Sequence, residues 1–325
     1  MNSTAIIFCV ESGYLENMSK LLVTSLRKFS GRWKDVPVYA YQPRKGKSVS
    51  LKTKKFFESN HVTFIDENLN KTYRFYPPGN KVYACEHAAN NLDYDNLMFV
   101  DTDTYFYNEP AEFSLMEDNQ VALRPVYKKY LGAGNEHDPN WQYWKELYEL
   151  IGVKELRYVK TSVDGDRILE YYNAGHILAQ SSSGLFSIWK KNFELVMRKG
   201  IKPIKYGLYF TDQTTLAATI SSMQLKVRQF SEVYNYPLMF NDELGNTDRN
   251  LELSQLVTVH YQDYFKKHRK SQSWFNHHDM DDKLKELKNL VFRFKLHQRD
   301  SMIQKTVNRI DKLQNLFLYK KQSWR

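Results

Sequence analysis

Short apolar runs alternate with amphipathic stretches along the first hundred residues. Ala5-Ile6-Ile7-Phe8-Cys9-Val10 is continuously apolar and predicts a buried strand, closed by a turn at Glu11-Ser12-Gly13. From Tyr14 to Phe29 the pattern becomes helical, with Met18, Leu21, Leu22, Ser25, Leu26 and Phe29 on one face. Val36 to Tyr41 predicts a second strand entered through Pro37, Lys52 to Glu58 a helix, and Val62 to Ile65 a third strand. Lys81 to Asn91 predicts a helix with small, packable residues at Val82, Cys85, His87, Ala88 and Ala89. Asn96-Leu97-Met98-Phe99-Val100 then predicts a buried strand running straight into Asp101-Thr102-Asp103. Strand alternating with helix implies a doubly wound, mostly parallel α/β sheet.

After Arg124-Pro125 the character changes. Tyr127 to Arg167 is polar, aromatic and loop-rich, with Trp141, Tyr143 and Trp144 close together. Tyr171 to Leu178 predicts a turn leading into a strand, and Leu185 to Arg198 a helix with an apolar stripe. Thr211-Asp212-Gln213 caps a further helix running to Ile220. Val257 to Tyr261 predicts a short strand that presents His260 at its end. Leu284, Leu287, Val291 and Phe294 recur at helical spacing, as do Ile303, Val307, Ile310, Leu313 and Phe317, so the chain ends in two amphipathic helices. The divisions are 1–125, an α/β half ending in the Asp-x-Asp strand; 126–268, the second half of the same domain; and 269–325, a basic helical extension.

Composition narrows the classes. With 325 residues and a 42% apolar share, the chain can bury a sizeable core and is not disordered. Aromatics at 15% either fill that core or stack on bases and sugar rings. The net charge of +10 is uneven: from Lys283 to Arg325 twelve Lys/Arg face three Asp/Glu, so that segment carries +9 of it. Its basic helices suit an anionic membrane surface, or pack on the domain through their apolar stripes. No nucleic-acid reader motif accompanies the charge, so no nucleic-acid partner is expected. Two cysteines, Cys9 and Cys85, form no disulfide framework, and no signal-peptide or membrane-spanning pattern is visible. The expected location is the cytoplasm, with the basic helices suited to peripheral contact at the inner face of a membrane.

The sharpest chemical signal is the Asp-x-Asp. In an extended chain, residues i and i+2 point to one side, so Asp101 and Asp103 converge at the carboxyl edge of the sheet, where open α/β folds bind ligands. Two carboxylates there suit Mn²⁺ or Mg²⁺ with phosphate oxygens completing the shell. Phosphatases of the haloacid-dehalogenase type also place Asp-x-Asp after a buried strand. They usually carry Thr or Val where this chain has Tyr105, and place the motif near the start of the domain. His277-His278-Asp279 with Asp281-Asp282 forms a second ligand-type cluster, but its residues are sequential in a polar stretch and read as a solvated loop.

The order of motifs resembles the sugar-nucleotide glycosyltransferases of the GT-A fold, in particular glycogenin and the bacterial lipopolysaccharide galactosyl- and glucosyltransferases. The likeness runs over about residues 5–268. It rests on the first strand and turn leading to Tyr14, on Lys81 before the metal strand, and on Asp101-Thr102-Asp103. Asn173-Ala174-Gly175, Asp212-Gln213, and His260 with Lys266 six residues later complete it. The chain departs from the family at Asp263, where Gly is usual, and at Lys267-His268, where Pro-Trp is usual.

That resemblance implies a Rossmann-like GT-A domain and a metal-dependent transfer of a hexose from a nucleoside-diphosphate sugar, with UDP the expected nucleotide, to a glycan or lipid-linked acceptor, with retention of anomeric configuration. It implies Asp101, Asp103 and His260 as ligands for Mn²⁺ (or Mg²⁺), and Val10, Tyr14, Lys81, Thr102 and Lys266 around the nucleotide-sugar. Asn173, Asp212 and Gln213 would lie at the donor sugar. On the residues alone, Asn173 also reads as a turn residue, Asp212 as a helix N-cap, and His260 as a core histidine. Two other function classes stay open: the phosphatase, and a catalytically silent nucleotide-sugar-binding protein.

Overall fold

The computed structural model describes residues 3–114, 118–203, 205–240, 251–266, 282–298 and 313, without the side chains of Leu253 and Lys266. The chain runs β1 (Thr4–Cys9), α1 (Tyr14–Phe29), β2 (Val38–Tyr41), α2 (Leu51–Ser59), β3 (Val62–Ile65), α3 (Asn80–Asn91), β4 (Asn96–Val100) and β5 (Thr104–Phe106). It continues through β6 (Val121–Pro125), α4 (Trp141–Ile151), β7 (Tyr158–Lys160), β8 (Arg167–Leu169), β9 (Tyr172–Gln180), α5 (Leu185–Lys199) and α6 (Thr211–Ser222). β10 (Val227–Gln229), β11 (Tyr236–Pro237), β12 (Thr258–His260) and α7 (Asp282–Arg293) follow.

Seven strands form the central sheet in the order β10-β6-β9-β4-β1-β2-β3. β1, β2, β3 and β4 are mutually parallel, and β9 runs antiparallel between β4 and β6. Both faces of the sheet are covered, which is why its strands read as continuous apolar runs rather than alternating ones. Ala5, Ile7, Leu97 and Phe99 pack on one side against α3, α4, α5 and α6, through residues such as Val82, Trp144, Trp189 and Leu216. Ile6, Phe8, Met98 and Val100 pack on the other side against Leu22, Val23 and Leu26 of α1 and Phe57 of α2. The period-2 alternation of a strand thus divides each apolar run between two cores.

A second sheet, β11-β12-β5, stands beside the first. Tyr105 and Val259 of that sheet meet Met18 and Leu21 of α1 and the stripe Leu284, Leu287, Leu290 and Val291 of α7 in a third core. Those four α7 side chains are each 1% exposed, and burying one is worth about 1.5–3 kcal/mol. Of the two readings of the apolar face Leu284, Leu287, Val291 and Phe294, a membrane surface or packing on the domain, the structure shows the second. Of the second predicted tail helix only Leu313 is described, and it is exposed; the rest of 299–325 lies outside the described residues. No described helix is long and apolar enough to cross a membrane.

Other differences are local. The loop-rich segment after Tyr127 contains α4, whose Trp144, Leu147 and Tyr148 enter the first core. Asn173-Ala174-Gly175 lies inside β9 rather than in a turn, because the antiparallel pairing with β6 continues through Arg124 and Asn173 after an irregularity. Asp212 is within α6, whose N-cap is Phe210, so it is not the cap. Asp101-Thr102-Asp103 is not extended strand. β4 ends at Val100, and the motif is a turn that carries the chain from the first sheet into β5 of the second.

Candidate active site

Three hydrogen bonds fix the Asp-Thr-Asp turn. The Asp101 amide donates to the Gly175 carbonyl at 2.7 Å, the Thr102 hydroxyl to the Cys9 carbonyl at 2.6 Å, and the Tyr261 amide to the Asp103 carbonyl at 3.0 Å. The turn is thereby tied to β1, to β9 and to the end of β12. In the antiparallel pair β12–β5, His260 stands opposite Thr104, the residue after Asp103. Sheet register, rather than proximity in sequence, brings the imidazole to the carboxylates. Ligand-type atoms of Asp101, Asp103 and His260 lie within 4.8 Å of one another.

The donor set suits a divalent cation. His260 Nε2 is 3.2 Å from Asp103 Oδ1, and Nδ1 is 2.8 Å from the Tyr127 hydroxyl. A hydrogen-bonded Nδ1 is the usual support for an imidazole that ligates through Nε2. Burial alone would lower the pKa of His260; the Asp103 carboxylate outweighs burial and raises it. For Asp103 burial opposes ionisation, but His260 more than compensates and holds its carboxyl below the usual range. His176, fully buried on β9, has its pKa pulled down to about 3 by burial first and His260 second, so it stays neutral and adds no positive charge.

Lys81 neutralises the other side. Its ammonium lies 2.9 Å from Asp101 Oδ1, 3.7 Å from Asp212 Oδ2 and 3.2 Å from the Ala174 carbonyl. Burial would lower its pKa, yet Asp101 and Asp212 together raise it, so it remains an ammonium. Asp212 is itself buried, which raises its pKa above the usual carboxylate value despite Lys81 and a 2.5 Å hydrogen bond donated by the Tyr76 hydroxyl. Gln213 is held at both ends: Oε1 accepts from the Ala174 amide at 3.2 Å and Nε2 donates to the Tyr171 hydroxyl at 2.7 Å. Asn173 Oδ1 accepts from the Gly175 amide at 2.8 Å and from Asn235 Nδ2 at 3.0 Å, which leaves its Nδ2 to address a ligand.

These groups line one cavity of about 640 Å³ at the carboxyl ends of β1 and β4, within the range of small-ligand sites. Asp101, Thr102, Asp103, Asn173, Asp212, Gln213, Lys81 and His260 all contribute to its wall. Two expected residues do not. The Val10 side chain is fully buried in the α1 core, with its amide donating to the Tyr41 carbonyl. Tyr14 packs against the third core and donates its hydroxyl to the Leu296 carbonyl at 2.7 Å. Lys266 ends a short 3-10 turn, and its side chain lies outside the described residues, as do Lys267, His268, His277, His278, Asp279 and Asp281.

Other wall residues escaped the sequence reading. Glu11 accepts from Arg44 Nε at 2.6 Å and from Asn80 Nδ2 at 2.8 Å, a buried ion pair beside Cys9. It was legible only as an acid just past the first strand, a position the sheet-edge rule marks. Tyr127 also lines the cavity, and neither it nor Asn235 carries a local sequence signal. The mouth is aromatic: Tyr209 is 65% exposed and Tyr130 55%, beside Met239 and Phe240.

A family model described as a Rhodobacterales glycosyltransferase domain matches residues 6–224. Comparison with curated proteins finds no match. Among solved structures, the galactosyltransferase LgtC in complex with donor and acceptor sugar analogues superposes with a TM-score of 0.54 at 14% identity, covering 93% of this chain and 99% of LgtC. An active-site mutant of LgtC gives 0.54 at 13% identity over 89% of this chain and 95% of the mutant. The apo-form glycosyltransferase GlyE of Streptococcus pneumoniae TIGR4 gives 0.50 at 12% identity over 93% of this chain and 66% of GlyE. At these identities the likeness shows the fold, which is the GT-A arrangement expected from the sequence.

Proposed function

Because the chain belongs to the Rhodobacterales glycosyltransferase domain family, we propose that it transfers a hexose from a UDP-sugar to a glycan or glycolipid acceptor. In this reading Asp101, Asp103 and His260 hold Mn²⁺ or Mg²⁺, and the product retains the anomeric configuration of the donor. The observation that carries the reading is the convergence of those three side chains within 4.8 Å on the wall of a cavity that also holds Lys81, Asp212 and Asn173. The imidazole among the ligands favours Mn²⁺ over Mg²⁺. The phosphatase alternative falls away, because the matched family spans the Asp-x-Asp strand.

A divalent ion held by these residues would supply positive charge to stabilise a diphosphate leaving group. The chain's own residues do the rest. Lys81 offsets the repulsion between Asp101 and Asp212, and Asp212 stands beside the donor sugar, where its carboxyl oxygens face the anomeric carbon. Asn173 Nδ2 donates to a sugar hydroxyl. Gln213, bound at both ends, fixes the start of α6 against β9 and so sets the distance from Asp212 to the donor. Exposed Tyr130 and Tyr209 offer ring faces on which an acceptor sugar stacks. That LgtC, of the same fold, binds donor and acceptor sugar analogues supports this division of the cavity. The free thiols Cys9 and Cys85 support a cytoplasmic location.

The test is calorimetry with UDP-, GDP- and CMP-sugars, with and without Mn²⁺, followed by turnover of the donor that binds. A UDP-sugar should bind only when Mn²⁺ is present. Equal binding in EDTA, or none to any nucleotide-sugar, would overturn the proposal.

A further inference from the structure

We infer that Asn235 is a positioning residue that orients a metal ligand with its carbonyl and the donor-sugar contact with its amide. The inference rests on the proposed function and deepens it. Asn235 is fully buried and sits at φ 46°, in the left-handed region that Asn tolerates better than most residues. Its amide N–H donates to Thr258 Oγ1 at 2.8 Å, which pins it to β12 two residues before His260.

Two arms leave this residue. On the first, the Tyr127 hydroxyl lies 3.2 Å from the Asn235 carbonyl and 2.8 Å from His260 Nδ1. A phenol has one proton. Donated to the carbonyl, it obliges the hydroxyl oxygen to accept from Nδ1–H, and that tautomer leaves the Nε2 lone pair on the side of Asp103. On the second arm, Asn235 Nδ2 donates to Asn173 Oδ1 at 3.0 Å, beside the Gly175 amide at 2.8 Å. Two donors on one oxygen prevent the Asn173 amide from flipping, so its Nδ2 is presented to the donor sugar. Asn235 Oδ1 meanwhile has no hydrogen-bond partner among the described residues. A buried amide with an unpaired oxygen costs the fold stability, so its presence is better explained by what it orients than by what it stabilises.

The two arms make separable predictions. Tyr127→Phe keeps the ring and removes the hydroxyl, so Mn²⁺ affinity, read by electron paramagnetic resonance titration of Mn²⁺ alone, should fall about 10–100-fold. Its preference for UDP-galactose or UDP-glucose over UDP at saturating Mn²⁺ should stay that of the wild type. Asn235→Gly keeps the backbone conformation and the carbonyl but deletes the amide. Mn²⁺ affinity should stay within about twofold, while the preference for the UDP-sugar over UDP should fall about three- to tenfold. Asn235→Asp is the second variant should the glycine variant not fold. Its carboxylate turns Asn173 Nδ2 toward itself and gives the same loss. Unchanged Mn²⁺ affinity in Tyr127→Phe, or parallel loss of both affinities in the Asn235 variants, would overturn the inference. Wild-type protein that binds neither Mn²⁺ nor a UDP-sugar would sink the parent reading as well.

Discussion

Gly175→Ala is the smallest change that tests the site. Gly175 has an ordinary negative-φ strand conformation on β9, so alanine brings no backbone strain. The problem is space. An added Cβ would stand 2.8 Å from Asn173 Oδ1 and 3.0 Å from Asp101 Oδ2. Both oxygens must retreat by roughly 0.5 Å to regain ordinary non-bonded contact. Neither is free to do so: Asn173 Oδ1 is held by Asn235 and by the Gly175 amide itself, and the Asp101 carboxylate by Lys81.

Overpacking of this kind costs about 1–3 kcal/mol of stability, which a urea melt in EDTA reads directly. The functional cost should be larger in proportion, because displacement of reacting groups by less than 1 Å can cost up to about 10²-fold. Expected values are kcat/KM for the donor down at least about tenfold and Mn²⁺ affinity down several-fold, with a native fold by circular dichroism. If Gly175→Ala binds Mn²⁺ and turns over as the wild type does, then Asp101 and Asn173 do not act where the structure puts them, and the metal and donor assignments both fail.

Asp103→Ala should fold yet show no more sugar transfer with Mn²⁺ than in EDTA; substantial activity of the variant in EDTA would reject the metal reading. Lys81→Met removes the ammonium that Asp101 and Asp212 share, so the melt in EDTA should drop by about 3 kcal/mol or more. The same variant should bind Mn²⁺ at least as tightly as the wild type, having lost a competing cation, while turnover falls; weaker Mn²⁺ binding would contradict that electrostatic picture. Leu287→Ala empties a fully buried site on α7 and should cost about 2–5 kcal/mol in urea unfolding, whereas a helix reserved for a membrane would show no change.

The elements were legible wherever the apolar pattern was strong. Tyr14–Phe29 and Val62–Ile65 agree with their expected limits at both ends, because each is set by packing that the local pattern encodes. The residues at the cavity were largely legible too, since a strand end, a helix start and a run of short polar residues each leave a signature. What the pattern could not show is pairing. Nothing near Asn173 announces that β6 keeps it in a strand, and nothing near Asp212 announces Tyr76 and Lys81 as its partners. Tyr127 and Asn235 are invisible for the same reason: their partners lie far away in sequence, 108 residues apart for the Tyr127–Asn235 bond and 62 for the Asn235–Asn173 bond. The α7 stripe shows the reverse limit, for a helix face that buries on its own domain and one that buries in lipid have the same period.

The Asp-x-Asp motif brings its carboxylates together for a different physical reason than the one its sequence suggests. Extended geometry would have set both carboxylates on one sheet face, with His260 arriving from elsewhere. Instead the motif is the crossing from one sheet to another: Asp101 is bonded to Gly175 just past the β4–β9 register, and Asp103 to Tyr261 just past the β5–β12 register. A site built across two registers is sensitive to both. A slip of one residue in β12 against β5 would turn His260 to the opposite face and remove the imidazole altogether, while leaving the main sheet intact. The Thr102 hydroxyl ties the turn to Cys9 of the first sheet, and the Tyr261 amide ties Asp103 to the second, so the two bonds anchor the turn at its two ends. Their task is therefore geometric: they hold the second sheet in phase with the first, and the ligand cluster exists only while that phase is kept.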